Sequence, residues 1–402
     1  MALIVKKFGG TSVADKDRIF NVANIIVEDY KKGNEVIAVV SAQGDTTDDL
    51  ILKAKEINGS GPSKREMDML LTAGEQISAA LLAMAIEKLD CPVISLLGWQ
   101  AGFNTDSNHG IARIKQIKTD RMKAELAKKN IIIVAGFQGI NKYDDLTTLG
   151  RGGSDTSAVA IAAALHADRC QIYTDVDGVY TADPRKINDA QKLSEITYDE
   201  MLELATLGAQ VLNNRSVEMA KKYSVELEVL SSLEKKEGTI VRENTKMEKM
   251  LIRGVTNDKN VASISVIGLK DLPGVAFKLF NKLAQYKINV DMILQSIGRG
   301  GTKDITFTVA RDQSESAIEA IESLKTIFEY QSLTKDDKVS KVSIVGAGME
   351  SHPGVAAKMF EALYDADINI RMIATSEIRI SVLIDESDTQ KAVQAVHDAF
   401  MN

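Results

Sequence analysis

The sequence predicts an α/β protein, in which a three-layer domain on a mainly parallel central sheet is followed by two ferredoxin-like βαββαβ units. Two observations predict this fold class. Residues 1 to about 245 alternate continuous apolar runs with amphipathic segments, which is typical of a parallel sheet covered by helices on both faces. The remainder contains an internal repeat. With 402 residues the chain is long enough for two or three domains, and we place them at residues 1–245, 250–335 and 336–402.

The strands and helices of the first domain follow from hydrophobic periodicity. Short continuous apolar runs predict the strands, which are LIVKKF, EVIAVVS, PVISLL, NIIIVAGF and QIYTDV. Apolar residues at helical spacing predict the helices, which cover residues 15–32, 48–57, 64–89, 121–128 and 155–165. NGSGPS and the polar stretch through His109 are predicted loops. The charge-rich stretch ENTKMEKM, residues 243–250, is the predicted domain boundary.

The second part of the chain repeats itself. PGVAFKLFNKLAQYKINVDMI begins at Pro273, and PGVAAKMFEALYDADINIRMI begins 80 residues later at Pro353. The offset has fallen to 75 residues at Asp304 and Arg379, so the first copy has about five extra residues near IGRGG. Each copy has the pattern strand, helix, strand, strand, helix, which predicts a βαββαβ unit.

Composition and charge exclude several function classes. The net charge of −7 disfavours a broad nucleic-acid-binding surface. Cys91 and Cys170 lie far apart without a CxxC pair, and the four histidines are scattered, so neither a disulfide framework nor a histidine metal site is expected. No apolar run reaches the roughly 18 residues that span a membrane, and the N-terminus lacks a signal-peptide pattern. We therefore expect a cytoplasmic protein that binds neither nucleic acid nor membranes.

The stretch KKFGGTSV follows the first predicted strand. Ligands of parallel sheets bind at the carboxyl ends of the strands, and glycines there let backbone N–H groups approach a phosphate. Lys7 would neutralise charge on a phosphoryl group beside Gly9 and Gly10. A tight turn is the commoner explanation of two glycines after a strand, so this stretch alone leaves both interpretations open.

The stretch LGRGGSDTSAVAIAAAL leads from a glycine-rich turn into an alanine-rich helix. Ser154 and Asp155 are predicted helix caps, and the alanines predict close packing. Helix capping and close packing do not explain Arg151, which lies between glycines and gains no packing there. An arginine in such a turn is suited to a two-point grip on a carboxylate or phosphate.

Two further stretches carry polar residues of interest. In MDMLLTAGEQIS, Glu75 follows a glycine within a helix, where glycine costs about 1 kcal/mol, and the close approach of a ligand would account for Gly74. Glu75 would then bind an ammonium group. In TDVDGVYTADPR, a polar turn and a nucleotide-binding edge explain the residues equally well.

These stretches together resemble one family. KFGGTSV, SAQGDTTDDL, MLLTAGEQIS, TTLGRGGSD and TDVDGVYTADPR, in this order, resemble the aspartate kinases of the amino-acid kinase family, and the repeat resembles that family's two C-terminal ACT domains. The resemblance covers essentially the whole chain. It implies ATP-dependent phosphorylation of L-aspartate to 4-phospho-L-aspartate, with Mg²⁺ carried by ATP. This is the entry step to lysine, through diaminopimelate, and to threonine, methionine and isoleucine.

The resemblance also implies a role for each matching residue. Lys7 bridges the phosphates, Asp155 orders the catalytic lysines, Arg151 holds the α-carboxylate of aspartate and Glu75 holds its α-ammonium group. The rest of the implied aspartate pocket is Ser41, Thr47, Phe137 and Ser154. The implied nucleotide contacts, besides Lys7, are Gly9, Gly10, Thr174, Asp175, Tyr180 and Arg185.

One segment departs from the family pattern. Where the family commonly reads GAKVLHPRS, this chain reads GAQVLNNRS. Gln210 therefore stands where a nucleotide-contacting lysine is usual, and it supplies a hydrogen bond without a charge. The departure implies either weaker ATP binding or a substitute basic residue elsewhere.

The repeats are expected to regulate the enzyme. In each copy a turn opens a helix at LPG or HPG, where helix-start amides can hold a carboxylate. The resemblance implies feedback inhibition by threonine, lysine or both, and a homo-oligomer, at least a dimer, formed through the ACT domains. The implied effector residues are Asp271, Gly274, Ala276, Gln295 and Asn369, with Ser351, His352, Gly354 and Val355 as a second set. Units that only dimerise are the alternative.

Two other functions remain open. A catalytically weak or inactive amino-acid sensor on the same fold is supported by Gln210, while Lys7, Arg151 and Asp155 argue against it. An enzyme of the same fold acting on glutamate, acetylglutamate or a nucleotide is the third hypothesis. Glu75 and Arg151 together suit a free amino acid, because an acetylated substrate has no ammonium group to bind.

Overall fold

The computed structural model describes residues 1–59, 61–208, 211–245, 251–296, 300–325 and 329–401, apart from the side chains of residues 350 and 351. The chain divides into two compact units. The first contains Met1–Tyr180, Lys192–Thr206 and Gln210–Glu248, and the second contains Thr181–Gln191, Leu207–Ala209 and Lys249–Asn402. Residues 246–250 of the predicted domain boundary lie outside the described residues.

The first unit alternates strands and helices. Its strands are β1 (Leu3–Phe8), β2 (Glu35–Val40), β3 (Val93–Leu96), β4 (Phe103–Thr105), β5 (Ile114–Ile117), β6 (Ile131–Ala135), β7 (Gln138–Ile140), β8 (Leu146–Thr148), β9 (Arg169–Thr174), β10 (Glu195–Thr197), β11 (Leu227–Ser231) and β12 (Thr239–Arg242). Its helices are α1 (Lys16–Lys31), α2 (Thr46–Ile57), α3 (Lys64–Glu87), α4 (Asp120–Ala127), α5 (Gly153–Leu165), α6 (Tyr198–Thr206) and α7 (Asn214–Tyr223).

An eight-stranded sheet forms the centre of this unit. Its strand order is β10-β12-β11-β9-β1-β2-β6-β3, and β11 with β12 is the antiparallel pair in it. The predicted fold class is therefore confirmed for this part of the chain. A separate small sheet of order β5-β4-β7-β8 was not predicted. Its strands are only three or four residues long, too short for alternation to be visible in the sequence.

Helices cover both faces of the central sheet. On one face, α1 and α3 pack on β1, β2 and β6 through an apolar core that includes Phe8, Val40, Ile26 and Leu82. On the opposite face, α5 contacts the same region of β1, β2 and β9. Residues 153–162 of α5 are all buried, because small alanine side chains let the helix lie close to its neighbours on every side.

Helix α3 is unusually long and apolar. By length and composition it is the one described helix that could cross a membrane, and half of that stretch is buried inside the unit. Its buried face also carries Asp68, Thr72 and Glu75, at a spacing of one turn. These polar groups have protein partners in the first unit, so α3 is interpreted as a core helix.

The second unit contains the two repeats. Its strands are β13 (Gly254–Asp258), β14 (Ala262–Lys270), β15 (Val290–Gln295), β16 (Thr302–Val309), β17 (Ser332–Asp336), β18 (Val339–Val345), β19 (Met372–Thr375) and β20 (Arg379–Asp385). Its helices are α8 (Val275–Gln285), α9 (Ser314–Glu322), α10 (Val355–Asp365) and α11 (Thr389–Met401). The first repeat is a βαββαβ unit from β14 to β17, with strand order β15-β16-β14-β17.

The second repeat takes its last strand from elsewhere. Its sheet has the order β13-β18-β20-β19, so β13 occupies the position that β17 has in the first repeat. The sequence assigned residues 254–258 to the first repeat. They instead pair antiparallel with β18, from Gly254 opposite Val345 to Asp258 opposite Lys341. The sequence repeat does not predict this pairing. The first copy is followed by its last strand, β17, whereas no described strand follows α11, and the second copy uses β13, which precedes both copies.

A segment that the sequence assigned to the first domain also lies in the second unit. Ala182 and Ile187 contribute to the core of the second repeat, together with Met359 and Val396. The Thr181 Oγ1 atom lies 3.0 Å from Nε2 of the buried His397. Apolar residues at both ends of this short segment account for its packing on α11 and α10.

Candidate active site

Two adjacent lysines at the end of β1 point to opposite faces of the sheet, as successive residues of a strand do. The Lys7 Nζ atom lies 2.6 Å from Asp155 Oδ1, and both side chains are almost buried. The Lys6 Nζ atom lies 2.6 Å from Asp29 Oδ2 on the α1 face. Lys7 therefore faces the start of α5, while Lys6 is part of the core on the other face.

Lys6 is bound to polar groups of the core and has a structural role. Besides Asp29, its amine donates hydrogen bonds to Gln171 Oε1 at 2.9 Å and to the Tyr173 hydroxyl at 3.2 Å, both on β9. Burial lowers the pKa of Lys6. This difference between Lys6 and Lys7 is not visible in the sequence, because both lysines precede the same glycines.

Gly10 lies where two loops meet backbone to backbone. A Cβ atom at this position would lie 2.5 Å from the Ala42 carbonyl oxygen, so only glycine fits without a shift. The Gly44 N–H group donates to the Gly10 carbonyl at 3.0 Å. The Ser41 N–H group donates to the Phe8 carbonyl at 3.1 Å. The structure thus brings the loops after β1 and β2 together at the carboxyl ends of these strands.

The glycine before Glu75 has a different cause from the one predicted. A Cβ atom on Gly74 would lie 2.8 Å from the Ala42 side chain, so Gly74 makes room for the loop after β2 and not for a ligand. That close approach lets the Ala42 N–H group donate to Glu75 Oε1 at 3.2 Å. Thr47 lies in the first turn of α2, which follows this loop, and its neighbour Thr46 is the residue that lies near Gly74.

Glu75 is a buried carboxyl group with one oxygen satisfied. Its Oε2 atom has no hydrogen-bond partner in the part of the chain that the structure describes. Burial raises the pKa of Glu75 to about 7, against the opposing effect of hydrogen bonds from its own N–H group and from that of Ala42. A buried carboxylate with a free oxygen is suited to a cationic ligand such as an ammonium group.

The turn that carries Arg151 is built on left-handed glycines. Gly150 has φ of +82° and Gly152 has φ of +69°, and α5 begins at the next residue. The predicted capping role of Ser154 and Asp155 is wrong, because Gly152 occupies the N-cap position without a side-chain cap. Both side chains lie inside the first turn of α5, where Asp155 meets Lys7 instead. Arg151 is exposed and forms no ion pair with a described residue.

Phe137 lies against the start of α5. It has φ of +68°, which is rare for a bulky side chain, and its N–H group donates to Ser157 Oγ at 3.1 Å. A Cβ atom on Gly153 would lie 2.8 Å from the Phe137 ring, and one on Gly136 would lie 2.8 Å from Ser154 Oγ. The structure therefore brings Phe137, Ser154 and the Arg151 turn together.

Sequence reasoning missed a buried network beside this turn. Asp68 on α3 accepts hydrogen bonds from the Gly110 N–H group at 3.0 Å and from the Thr148 hydroxyl at 2.6 Å. His109 Nδ1 lies 2.9 Å from the same carboxylate. The network fixes the loop after β4 to the end of β8. Asp68 lies seven residues, or two helical turns, before Glu75, so the sequence could have placed both carboxyl groups on the same face of α3.

The predicted nucleotide residues lie in different places. Thr174 ends β9, and its hydroxyl donates to Asp175 Oδ1 at 2.9 Å. The Tyr180 hydroxyl donates to Asp177 Oδ1 at 2.7 Å, and this carboxylate raises the pKa of Tyr180 to about 12. Arg185 belongs to the second unit, where it forms a two-point pair with Asp183 at 3.0 and 3.1 Å. Gln210 lies outside the described residues.

The predicted effector residues lie in the second unit at helix starts and strand ends. Gly274 and Gly354, with φ of +90° and +92°, precede α8 and α10 as their N-cap residues. Gln295 and Asn369 are exposed, Ala276 is half-buried and Val355 is buried. The Asp271 carboxylate lies 3.0 Å from Lys303 Nζ. His352 Nδ1 donates to the Gly348 carbonyl at 2.8 Å. The Ser351 side chain lies outside the description.

Comparison with known proteins agrees with this arrangement. Residues 2–231 match the amino acid kinase family, and residues 264–324 and 342–400 match the ACT domain. The chain is 50% identical over 401 residues to an aspartokinase of Bacillus sp. (strain MGA3), covering 100% of this chain and 97% of the relative. It is 52% identical over 406 residues to an aspartokinase of Mycolicibacterium smegmatis, covering 100% and 96%.

The chain belongs to the aspartokinases of the amino acid kinase family.

Solved structures of the family share the fold. Escherichia coli aspartokinase III in complex with aspartate and ADP has a TM-score of 0.86 at 25% identity, with 100% of both chains covered. Aspartate kinase from Synechocystis has a TM-score of 0.57 at 43% identity, covering 100% of this chain and 69% of the other. The predicted enzyme class, an aspartate kinase with a carboxyl group as phosphate acceptor, is confirmed by these relatives.

Glu75→Gln is expected to stabilise the first unit in a pH-dependent way. Because folding raises the pKa of Glu75 from 4.5 to about 7, its ionised form destabilises the fold above pH 7. Glutamine keeps the hydrogen bond from Ala42 and carries no charge. The free energy of unfolding should therefore rise by up to about 3 kcal/mol at pH 8, and the gain should fall as the pH approaches 4.5.

The measurement is denaturant unfolding at pH 5 and pH 8, followed by the fluorescence of Trp99, the single tryptophan. Glu87→Gln, at the exposed end of the same helix, is the matched control and should change neither value. A Glu75→Gln variant that is less stable than the wild type at pH 8 would contradict the buried-charge interpretation.

Proposed function

We propose that the enzyme transfers the γ-phosphoryl group of ATP to the side-chain carboxylate of L-aspartate and forms 4-phospho-L-aspartate. The observation that carries the proposal is the contact chain from Glu75 through Ala42 to Gly10. In this chain of contacts Ala42 alone lies between the Glu75 carboxylate, which has a free oxygen, and Gly10 in the loop after Lys7. A free amino acid bound through its ammonium group there would lie next to the phosphate-binding loop.

The relatives support this proposal. The curated relatives are aspartokinases, and the E. coli structure holds aspartate and ADP. A further E. coli structure of TM-score 0.77 and 25% identity holds lysine and aspartate. These complexes support ATP as phosphate donor and an amino acid as effector for this chain.

The chain's own residues supply positioning and charge. Phosphoryl transfer needs little covalent chemistry from the protein, and a side-chain carboxylate with a pKa of about 3.9 is already ionised at pH 7. No general base is therefore required. Lys7, oriented by Asp155, stabilises negative charge on the transferring group, and the N-terminus of α5 adds positive potential. Mg²⁺ enters with ATP as part of the substrate.

The substrate is recognised by its two α groups. Glu75 accepts the ammonium group, and Arg151 binds the α-carboxylate through its planar guanidinium group. A coupled assay with aspartate, glutamate and acetylglutamate tests this assignment. Turnover with aspartate alone supports it, turnover with acetylglutamate would favour another enzyme of this fold, and no turnover would favour an inactive amino-acid sensor.

The biological setting is part of the proposal. We infer that the product feeds the synthesis of lysine, threonine and methionine, and that threonine, lysine or both inhibit the enzyme through its ACT domains. Two unpaired, buried thiols, Cys91 and Cys170, suit a reducing cytoplasm. The ACT domains are proposed to form at least a homodimer, because their edge strands β15 and β19 carry exposed apolar residues, among them Ile293 and Ile373.

Arg151→Lys is expected to raise the KM for aspartate at least tenfold, on the order of the loss from a misplaced carboxylate, and to leave the KM for ATP within about twofold. Lysine keeps the charge and loses the two-point geometry. Steady-state kinetics with each substrate varied in turn is the measurement. Arg169→Lys makes the same change at the first residue of β9, away from the carboxyl ends of the strands, and is the control. An unchanged KM for aspartate would remove Arg151 from the pocket.

Gln295→Ala is expected to weaken inhibition at least several-fold while leaving the uninhibited kcat nearly unchanged. Gln295 ends β15 with an exposed side chain, and effector coupling of about 1–3 kcal/mol can be lost with one contact. Dose–response curves for threonine, lysine and their mixture measure the effect. Gln285→Ala, at the end of α8, is the control and should be inhibited like the wild type. Equal inhibition of the Gln295→Ala variant would refute this effector site.

A further inference from the structure

Asn213 connects the start of α7 to the Arg151 turn. As the N-cap residue of α7, its side-chain oxygen accepts a hydrogen bond from the Arg215 N–H group at 3.0 Å. Its Nδ2 group donates to the Arg151 carbonyl oxygen at 3.1 Å. One amide thus performs two functions, of which only the oxygen's is needed to cap the helix.

The contact between Asn213 and the turn is close. A Cβ atom on Gly152 would lie 2.3 Å from the Asn213 Cγ atom and 2.4 Å from its Nδ2 atom. Gly152 also needs its left-handed conformation, with φ of +69°. The turn therefore rests directly on the Asn213 amide, which fixes its approach from the α7 side.

Arg215 holds the other end of the same turn. Its guanidinium group donates to the Leu149 carbonyl at 2.8 Å and to the Ala112 carbonyl at 2.9 Å. Burial of this group lowers the pKa of Arg215. The backbone of the turn is therefore held at Leu149 by Arg215 and at Arg151 by Asn213, while the Arg151 side chain has no ion pair with a described residue.

We infer that Asn213 is a positioning residue for Arg151 and so sets the affinity for the α-carboxylate of the substrate. The inference rests on the proposed function. A long arginine side chain gains a defined reach only if its backbone is fixed, and small errors in placement weaken a two-point contact strongly. This chain has Asn-Asn where the family pattern reads His-Pro, and the two asparagines are attached differently. The Asn214 amide donates to Thr206 Oγ1 at 2.9 Å and not to the turn.

Two variants separate the donor from the cap. Asn213→Asp and Asn213→Ser each retain an oxygen for the Arg215 N–H group and remove the Nδ2 group that donates to the Arg151 carbonyl. The serine variant adds no charge, so agreement between the two excludes a purely electrostatic effect. Asn214→Asp makes the same chemical change one residue further on and serves as the matched control.

The measurement compares L-aspartate with its α-amide, which lacks the α-carboxylate, as substrates of the full-length enzyme. Both Asn213 variants should raise the KM for aspartate about 5- to 10-fold, leave the KM for ATP within twofold and reduce the preference for aspartate over the α-amide by a similar factor. Asn214→Asp should behave like the wild type. A smaller folded fraction would lower the apparent kcat with both substrates and would change neither KM nor the preference.

The outcomes distinguish this inference from the proposed function. A wild type that transfers no phosphate to aspartate overturns the proposed function and the inference with it. A wild type that prefers aspartate to the α-amide, with Asn213 variants that keep the full preference, overturns the inference alone. Variants that lose both substrates equally also overturn it, since they show a structural role only.

Discussion

The ion pair between Lys7 and Asp155 is the interaction on which the arrangement of the active site depends. It joins the carboxyl end of β1 to the first turn of α5, and both side chains are nearly buried. An isolated buried charge is costly, so each partner makes the other tolerable in this position. Because the Arg151 turn runs directly into α5, this contact also fixes that turn relative to the glycine-containing loop after β1.

Close backbone approach is the second constraint, and glycines provide it. Gly10 lets the loop after β2 touch the loop after β1, and Gly74 lets the same loop reach α3. Ala42 lies between them and donates to Glu75. One short loop therefore connects the glycines after β1 to the buried Glu75 carboxyl group on α3.

The sequence predicted what depends on local pattern and missed what depends on distant contacts. Apolar runs and glycine-rich strand ends predicted the central sheet and the place of Lys7, since both are encoded within a few neighbouring residues. The cause of Gly74 and the pairing of β13 with the second repeat both arise from segments far apart in the chain. Asn213 escaped notice for the same reason, because an N-cap looks alike whether or not its amide has a second partner.

The kinetics of a Lys7→Ala and Asp155→Asn double-mutant cycle test the central claim most directly. Each single change should lower kcat by about 10²–10³ or more, and the double variant should be no worse than the poorer single one, because the pair acts as a unit. Lys6→Ala should reduce stability and leave the kcat of the folded enzyme within a few-fold. Losses that multiply in the double variant, or a Lys7→Ala enzyme as active as Lys6→Ala, would contradict the account.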